Sequence, residues 1–303
     1  AISGDTAIVG AYQDGDNGSS SGSAYLFDLS TWQQIAKLLP TDGAPGDFFG
    51  ISVAISGSMA IVGAYQDDDN GPDSGSAYLF DVVTGQQIAK LLPSDGASGD
   101  AFGTSVAISG GTAIVGAWRD DDNGSQSGSA YLFDVTSGQQ IAKLLPSDGA
   151  SDDVFGLSVA ISANAAMVGA PGDGDNGSGS GSAYLFDVVT GQQIAKLLPS
   201  DGASSDWFGI PVAISESTAI VGAYGDDDNG SSSGSAYLFD VVTGQQIAKL
   251  LPSDGASDDT FGISVAISGG IAIVGAEGDA DNGPYTGSAY VFDFDCNANG
   301  ILD

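Results

Sequence analysis

Residues 51–103 read ISVAISGSMAIVGAYQDDDNGPDSGSAYLFDVVTGQQIAKLLPSDGASGDAFG. Four short apolar runs stand out: SVAIS (52–56), MAIVGA (59–64), GSAYLFD (75–81) and QQIAKLL (86–92). Clusters of Gly, Ser, Asp, Asn and Pro separate them and read as turns, and none has a helical period, so four strands are expected. The second and third runs are apolar at successive positions, so both faces of each strand must be covered. The fourth sets Gln86, Gln87 and Lys90 among Ile88, Leu91 and Leu92, a pattern suited to an outer edge where lysine discourages pairing between sheets.

This stretch is one copy of a repeat. Ala-Ile-Ser recurs at Ala1, Ala54, Ala107, Ala160, Ala213 and Ala266, always 53 residues apart. A four-stranded unit of about 40–50 residues in tandem is the pattern of a propeller blade. The expectation is an all-β protein, a β-propeller of six blades over residues 1–294, with repeats starting at 1, 54, 107, 160, 213 and 266. After Gly287–Phe294 no QQIAKLL run follows, so the last blade lacks its outer strand; the alternative is part of a seven-bladed propeller. Ala1 falls in mid-pattern, which suggests a processed or longer parent.

Phe102-Gly103 opens one unit and Val115-Gly116-Ala117 closes its second strand; the Phe-Gly pair recurs at Phe49, Phe155, Phe208 and Phe261, and the Gly-Ala pair at Gly10, Gly63, Gly169, Gly222 and Gly275. These dipeptides resemble the FG-GAP repeat over nearly the whole chain. The resemblance implies the propeller of integrin α-subunit heads and of many bacterial surface proteins, which serves adhesion and ligand binding. Integrin-type propellers have seven blades, and their DxDxDGxxD calcium loop lies between the first and second strands. Here that place holds only a tight turn such as Ser56-Gly57-Ser58, so that calcium site does not carry over.

Six Lys plus Arg against 39 Asp plus Glu give a formal net charge of −33. Such a charge opposes nucleic acid or anionic lipid as partner and favours cations or cationic surfaces. No stretch is long and apolar enough for a membrane-spanning helix, so no membrane insertion is expected. A single cysteine, Cys296, and no histidine argue against a disulfide framework and against zinc, iron or copper. Calcium is the metal that remains.

The loops between second and third strands and the loops between blades hold 29 of the 39 acids, and antiparallel connectivity brings both sets to one end of a blade. In the first set every copy has Asp-x-Asp-Asn-Gly: Asp14/Asp16/Asn17, Asp67/Asp69/Asn70, Asp120/Asp122/Asn123, Asp173/Asp175/Asn176, Asp226/Asp228/Asn229 and Asp279/Asp281/Asn282. Closely spaced oxygen donors suit Ca²⁺, and an inter-blade acid such as Asp100 or Asp153 is a candidate third ligand. The same residues also suit Asx turns with Asn-Gly at positive φ. Asn17, Asn123, Asn176 and Asn229 also open Asn-Gly-Ser glycan acceptors. At the C-terminus Asp295, Asn297, Asn299 and Asp303 sit at positions 1, 3, 5 and 9, with Gly300 at 6, of an EF-hand-like loop.

Without histidine the usual Ser-His-Asp and Cys-His arrangements cannot form, and acids spread over near-identical loops offer no unique catalytic pair, so no enzyme is expected. Tyr12, Tyr65, Trp118, Pro171, Tyr224 and Glu277 share one variable position before the acidic loop, where a ring either contacts a ligand or shields the strand end. The leading reading is a secreted or cell-surface calcium-binding adhesion or ligand-binding propeller, with a protein or glycan partner on its acidic face. The alternative is a structural subunit of an extracellular fibre or sheath, self-associating by strand completion between chains.

Overall fold

The computed structural model describes residues 1–281, 283 and 286–294. Among these there is no helix; six antiparallel sheets run in sequence, five of four strands and the sixth of three. In the second sheet the strands are Val53–Ser56, Met59–Ala64, Ser76–Asp81 and Gln87–Leu91, paired in chain order. Each lies within the run expected for it, and each sheet is a propeller blade. The sixth blade consists of Phe261–Ser268, Ile271–Ala276 and Ser288–Asp293, with no fourth strand among the described residues. At the third hairpin Asp81 Oδ1 accepts from the Thr84 N–H at 2.7 Å and the Thr84 hydroxyl at 2.8 Å, an Asx turn that fixes the register of the outer strand.

The chain divides into two compact units, residues 1–145 with the first three blades and a second beginning at Pro146 with the last three. Within the first unit Ile61, Leu79 and Leu91 of the second blade pack on Val115, Tyr131 and Phe133 of the third. Ile8, Leu26 and Leu38 meet Val62, Tyr78 and Phe80 in the same way. Within the second unit Met167, Leu185 and Leu197 pack on Val221, Tyr237 and Phe239, and Ile220 and Leu238 on Val274, Tyr290 and Phe292. One face of a blade is thus Ile/Leu and the other Val/Tyr/Phe, which is why the middle strands are apolar at successive positions.

The Phe-Gly and Gly-Ala pairs hold these junctions. Phe102, in the loop entering the third blade, is fully buried and stands edge-on to Tyr131 and Phe133, with ring centroids 5.5 and 5.8 Å away. Gly103 brings its carbonyl against Gly63, where an added Cβ would lie 1.9 Å from that oxygen. Only glycine permits this approach of backbone to backbone.

Candidate functional site

The acidic loop between second and third strands folds on itself first. In the second blade Asp67 Oδ1 accepts from the Asp69 N–H at 3.2 Å, the Asn70 N–H donates to Ser74 Oγ at 3.1 Å, and Ser74 Oγ donates back to the Asp67 carbonyl at 3.1 Å. Closure of the loop leaves the Asp67 carboxylate buried and facing the outer strand.

There it meets a lysine. Lys90 Nζ lies 2.9 Å from Asp67, 2.7 Å from Asp69 and 2.8 Å from Asp42 of the preceding inter-blade loop. The Tyr78 hydroxyl donates to Asp67 at 2.8 Å and to Asp42 at 3.1 Å, and the ammonium sits over the Tyr78 ring. The result is a cage of three carboxylates around one ammonium. It recurs around Lys143 (Asp95, Asp120, Asp122), Lys196 (Asp148, Asp173, Asp175) and Lys249 (Asp201, Asp226, Asp228), with every separation between 2.6 and 2.9 Å. In the first blade Lys37 bonds Asp14 at 3.0 Å and contacts Asp16. In the sixth, Tyr290 donates to Asp279 at 2.7 Å and to Asp254 at 3.0 Å, and no lysine reaches Asp281 among the described residues.

The electrostatics follow from this geometry. Burial acts to lower the Lys90 pKa, but hydrogen bonds to Asp42, Asp69, Tyr78 and Asp67 outweigh it and hold the ammonium firmly charged. Burial acts to raise Asp42, and the Lys90 hydrogen bond and charge, with the Tyr78 hydrogen bond, bring it below the usual carboxylate range. Asp281, without a lysine, is pushed up by Asp279 first and then by Asp254.

The structure places the remaining sequence candidates differently. Asp100, expected as the third ligand, is not in the cage: it accepts from the Ala97 N–H at 2.7 Å within its own loop, and burial pushes it up. Asp153 does the same for Ala150. The third carboxylate comes instead from five residues earlier, Asp42, Asp95, Asp148 or Asp201. The Asn70 amide nitrogen lies over Gly96, where a Cβ would stand 2.7 Å away; Asn17, Asn176 and Asn229 lie likewise over Gly43, Gly202 and Gly255. The Asn123 backbone N–H donates to Ser127 Oγ at 3.0 Å. Asn282 and the loop of Asp295, Asn297, Asn299 and Asp303 lie outside the described residues. Tyr12 and Tyr65 flank Phe48 at 6.1 and 5.6 Å, and Arg119 stacks over Trp118 at 4.3 Å.

Lys90 is the residue that sequence reasoning misplaced, as an edge guard of the outer strand. The signal was available: five of the six basic residues in the chain occupy this one repeat position.

The cages also have the chemistry of a metal site. Carboxylate oxygens of Asp148, Asp173 and Asp175, and of Asp201, Asp226 and Asp228, lie within 4.8 Å of one another. The nearby hydroxyls of Ser182 and Ser235 are buried without a hydrogen-bond partner, whereas their first-blade counterpart Ser23 donates to Asp14 at 2.8 Å. Such groups of hard oxygen donors could hold a metal ion. In both cages the lysine ammonium occupies the space between the three carboxylates.

The FG-GAP repeat family matches residues 1–27, 32–80, 86–133, 139–186, 192–239 and 245–292, one segment for each blade. No curated protein matches the sequence. Among solved structures, that of the computationally designed protein Ika8 superposes with a TM-score of 0.58 at 20% identity, over 95% of this chain and 70% of that one, a likeness of fold alone. With six matched segments that coincide with six blades, the chain belongs to the FG-GAP repeat family.

Proposed function

We propose that this protein is a non-catalytic, secreted or cell-surface binding propeller whose acidic loop end takes a cationic protein or glycan partner, in the manner of adhesive FG-GAP propellers. One observation carries the reading: all five lysines are held by loop carboxylates, four of them inside cages and Lys37 by Asp14 and Asp16. Acids outside them, among them Asp68, Asp121, Asp152, Asp227 and Glu277, are left exposed on the same loops with little countercharge. The cages hold the loops in shape and the outer acids face solvent, so a concentrated negative field is presented by a firm scaffold. Calcium belongs to this reading as a competitor of lysine: it takes a cage when the ammonium swings out, and the three carboxylates become its ligands.

Binding to an immobilised cationic polypeptide tests the reading. Asp68→Asn, Asp121→Asn and Asp227→Asn together are expected to weaken binding several-fold, with a steep salt dependence. Removing the same charge at the other end of the blades, by Asp81→Asn, Asp134→Asn and Asp240→Asn, leaves binding nearly unchanged. Equal losses from the two triple variants would reduce the effect to net charge and sink the proposal.

A further inference from the structure

At the end of each blade opposite the acidic loops, the turn between first and second strands needs one residue in the left-handed conformation. Four copies place glycine there, Gly4, Gly57, Gly110 and Gly269, with φ between 55° and 57°. The fourth and fifth blades instead place Ala163 at φ 49° and Glu216 at φ 53°. A side chain in this conformation carries strain that glycine avoids, and such strain collects at ligand sites. Both residues line one open cavity of about 430 Å³ between these two blades of the second unit, together with Ala165, Asp187, Ile194 and Val242. Its volume falls in the range of ~300–1,000 Å³ common to small-molecule sites. Ala165 opens it: the counterparts Thr6, Met59, Thr112, Thr218 and Ile271 are all larger. In the second blade Met59 packs against the core that contains Val135, and the counterpart of Val135 in the fifth blade, Val241, also lines the cavity. Where the second and third blades meet, the two turns hold Gly57 and Gly110, so that junction offers no turn carboxylate and Met59 fills its wall.

We propose that this cavity binds a small organic ammonium, a protonated amine on an apolar body, with the body against Ala165, Ile194 and Val242 and the ammonium on Glu216. The sign of the ligand follows from the lining, which holds two carboxylates, Glu216 and Asp187, and no basic residue. The lysines are engaged by carboxylates of the acidic loops at the other end. Both acids are held in place by their own hydrogen bonds. The Glu216 N–H donates to Ser162 Oγ at 3.2 Å, which ties the fifth-blade turn to the fourth blade. Asp187 Oδ1 accepts from the Thr190 N–H at 2.7 Å and the Thr190 hydroxyl at 2.8 Å, and these bonds hold its carboxyl below the usual range. The apolar part of the ligand follows from Ile194 and Val242, 47% and 77% exposed at the mouth, which an aliphatic body would cover. The site is independent of whatever the acidic loops bind.

Titration of the full chain with hexylammonium, followed by the methyl signals of its Ile and Val residues in NMR spectra, tests this. Hexanol, which keeps the body without the charge, and methylammonium, which keeps the charge without the body, are run beside it at matched ionic strength. Hexylammonium is expected to shift the Ile194 and Val242 methyls saturably while Ile88, at the same place in the second blade, stays unmoved, and both controls are expected to bind several-fold more weakly. Glu216→Gly, which restores the glycine of the other copies, should melt no lower than the wild type and lose the preference for hexylammonium over hexanol. Ala165→Met, which copies Met59, should lose both ligands. Absence of a saturable shift, equal shifts at Ile88, hexanol bound as tightly as hexylammonium, or an unchanged preference in Glu216→Gly overturns the proposal.

Discussion

Lys90 and Asp67, 23 residues apart, meet at 2.9 Å, and the side chain of Asp67 is 5% exposed while that of Lys90 is 15% exposed. The pair joins the outer strand of a blade to its acidic loop, and Asp42 extends the link to the preceding inter-blade loop. A charge so placed is costly to strand. Lys90→Met should destabilise the protein by about 2–4 kcal/mol, since the buried Asp67 loses its partner while Asp42 and Asp69 remain partly solvated. Urea unfolding in EDTA measures it, and a loss below about 0.5 kcal/mol would class the cage with ordinary surface ion pairs.

The Phe-Gly wedge sets a second expectation. Phe102→Ala removes a fully buried ring from between two blades and should cost about 3–5 kcal/mol by equilibrium unfolding. Retention of wild-type stability would show that neighbouring blades close over the gap.

Gly63→Ala adds only a methyl group, yet that methyl would meet the Gly103 carbonyl oxygen at 1.9 Å. Backbone cannot yield as a flexible side chain does, so a loss of about 1–3 kcal/mol or more is expected, against a small effect for Gly57→Ala, whose added Cβ has open space and only positive-φ strain to bear. Equal stability of the two variants contradicts the close approach.

The cages also set the response to alkali. Lys196 and Tyr184 both have pKa values raised in the fold: for Lys196 the carboxylate hydrogen bonds outweigh burial, and for Tyr184 burial leads, followed by the charge of Asp173. A raised pKa means that the folded state holds its proton longer than the unfolded state does. The contribution is therefore fully present below the unfolded values of ~10 for tyrosine and ~10.4 for lysine, and is lost as pH rises beyond them. Melting temperatures should stay level from neutral pH to about pH 10 and then fall. Melting temperatures that stay level or rise through about pH 11 would show that these protons are not held by the fold.

Strands were legible because their information is local. Short apolar runs such as SVAIS and MAIVGA, bounded by Gly and Asp turns, name the strand without knowledge of any other residue. The acidic end was legible for a similar reason, since connectivity alone brings two loop sets together. What escaped was the partner of Lys90. Its role depends on Asp42, 48 residues earlier and across a blade junction, and along its own strand it reads only as a polar edge residue. Asp100 was misread for the converse reason: nothing in its sequence shows that it turns back to the Ala97 N–H and is buried there. Asn17, Asn70, Asn176 and Asn229 read as ligands by composition, but their amides pack over the inter-blade glycines.

Lysine fills the cation position of the cages, and thermal unfolding of the wild type and of Lys196→Met in EDTA, in millimolar Ca²⁺ and in NaCl of matched ionic strength tests this. The wild-type midpoint should move little with Ca²⁺ beyond the NaCl control. The variant, unfolding at a lower temperature in EDTA, should regain several degrees with Ca²⁺ alone, as expected for an ion that binds only the folded cage. A large Ca²⁺-specific rise in the wild type, with none added in the variant, would instead make the loops metal sites in which lysine has no part.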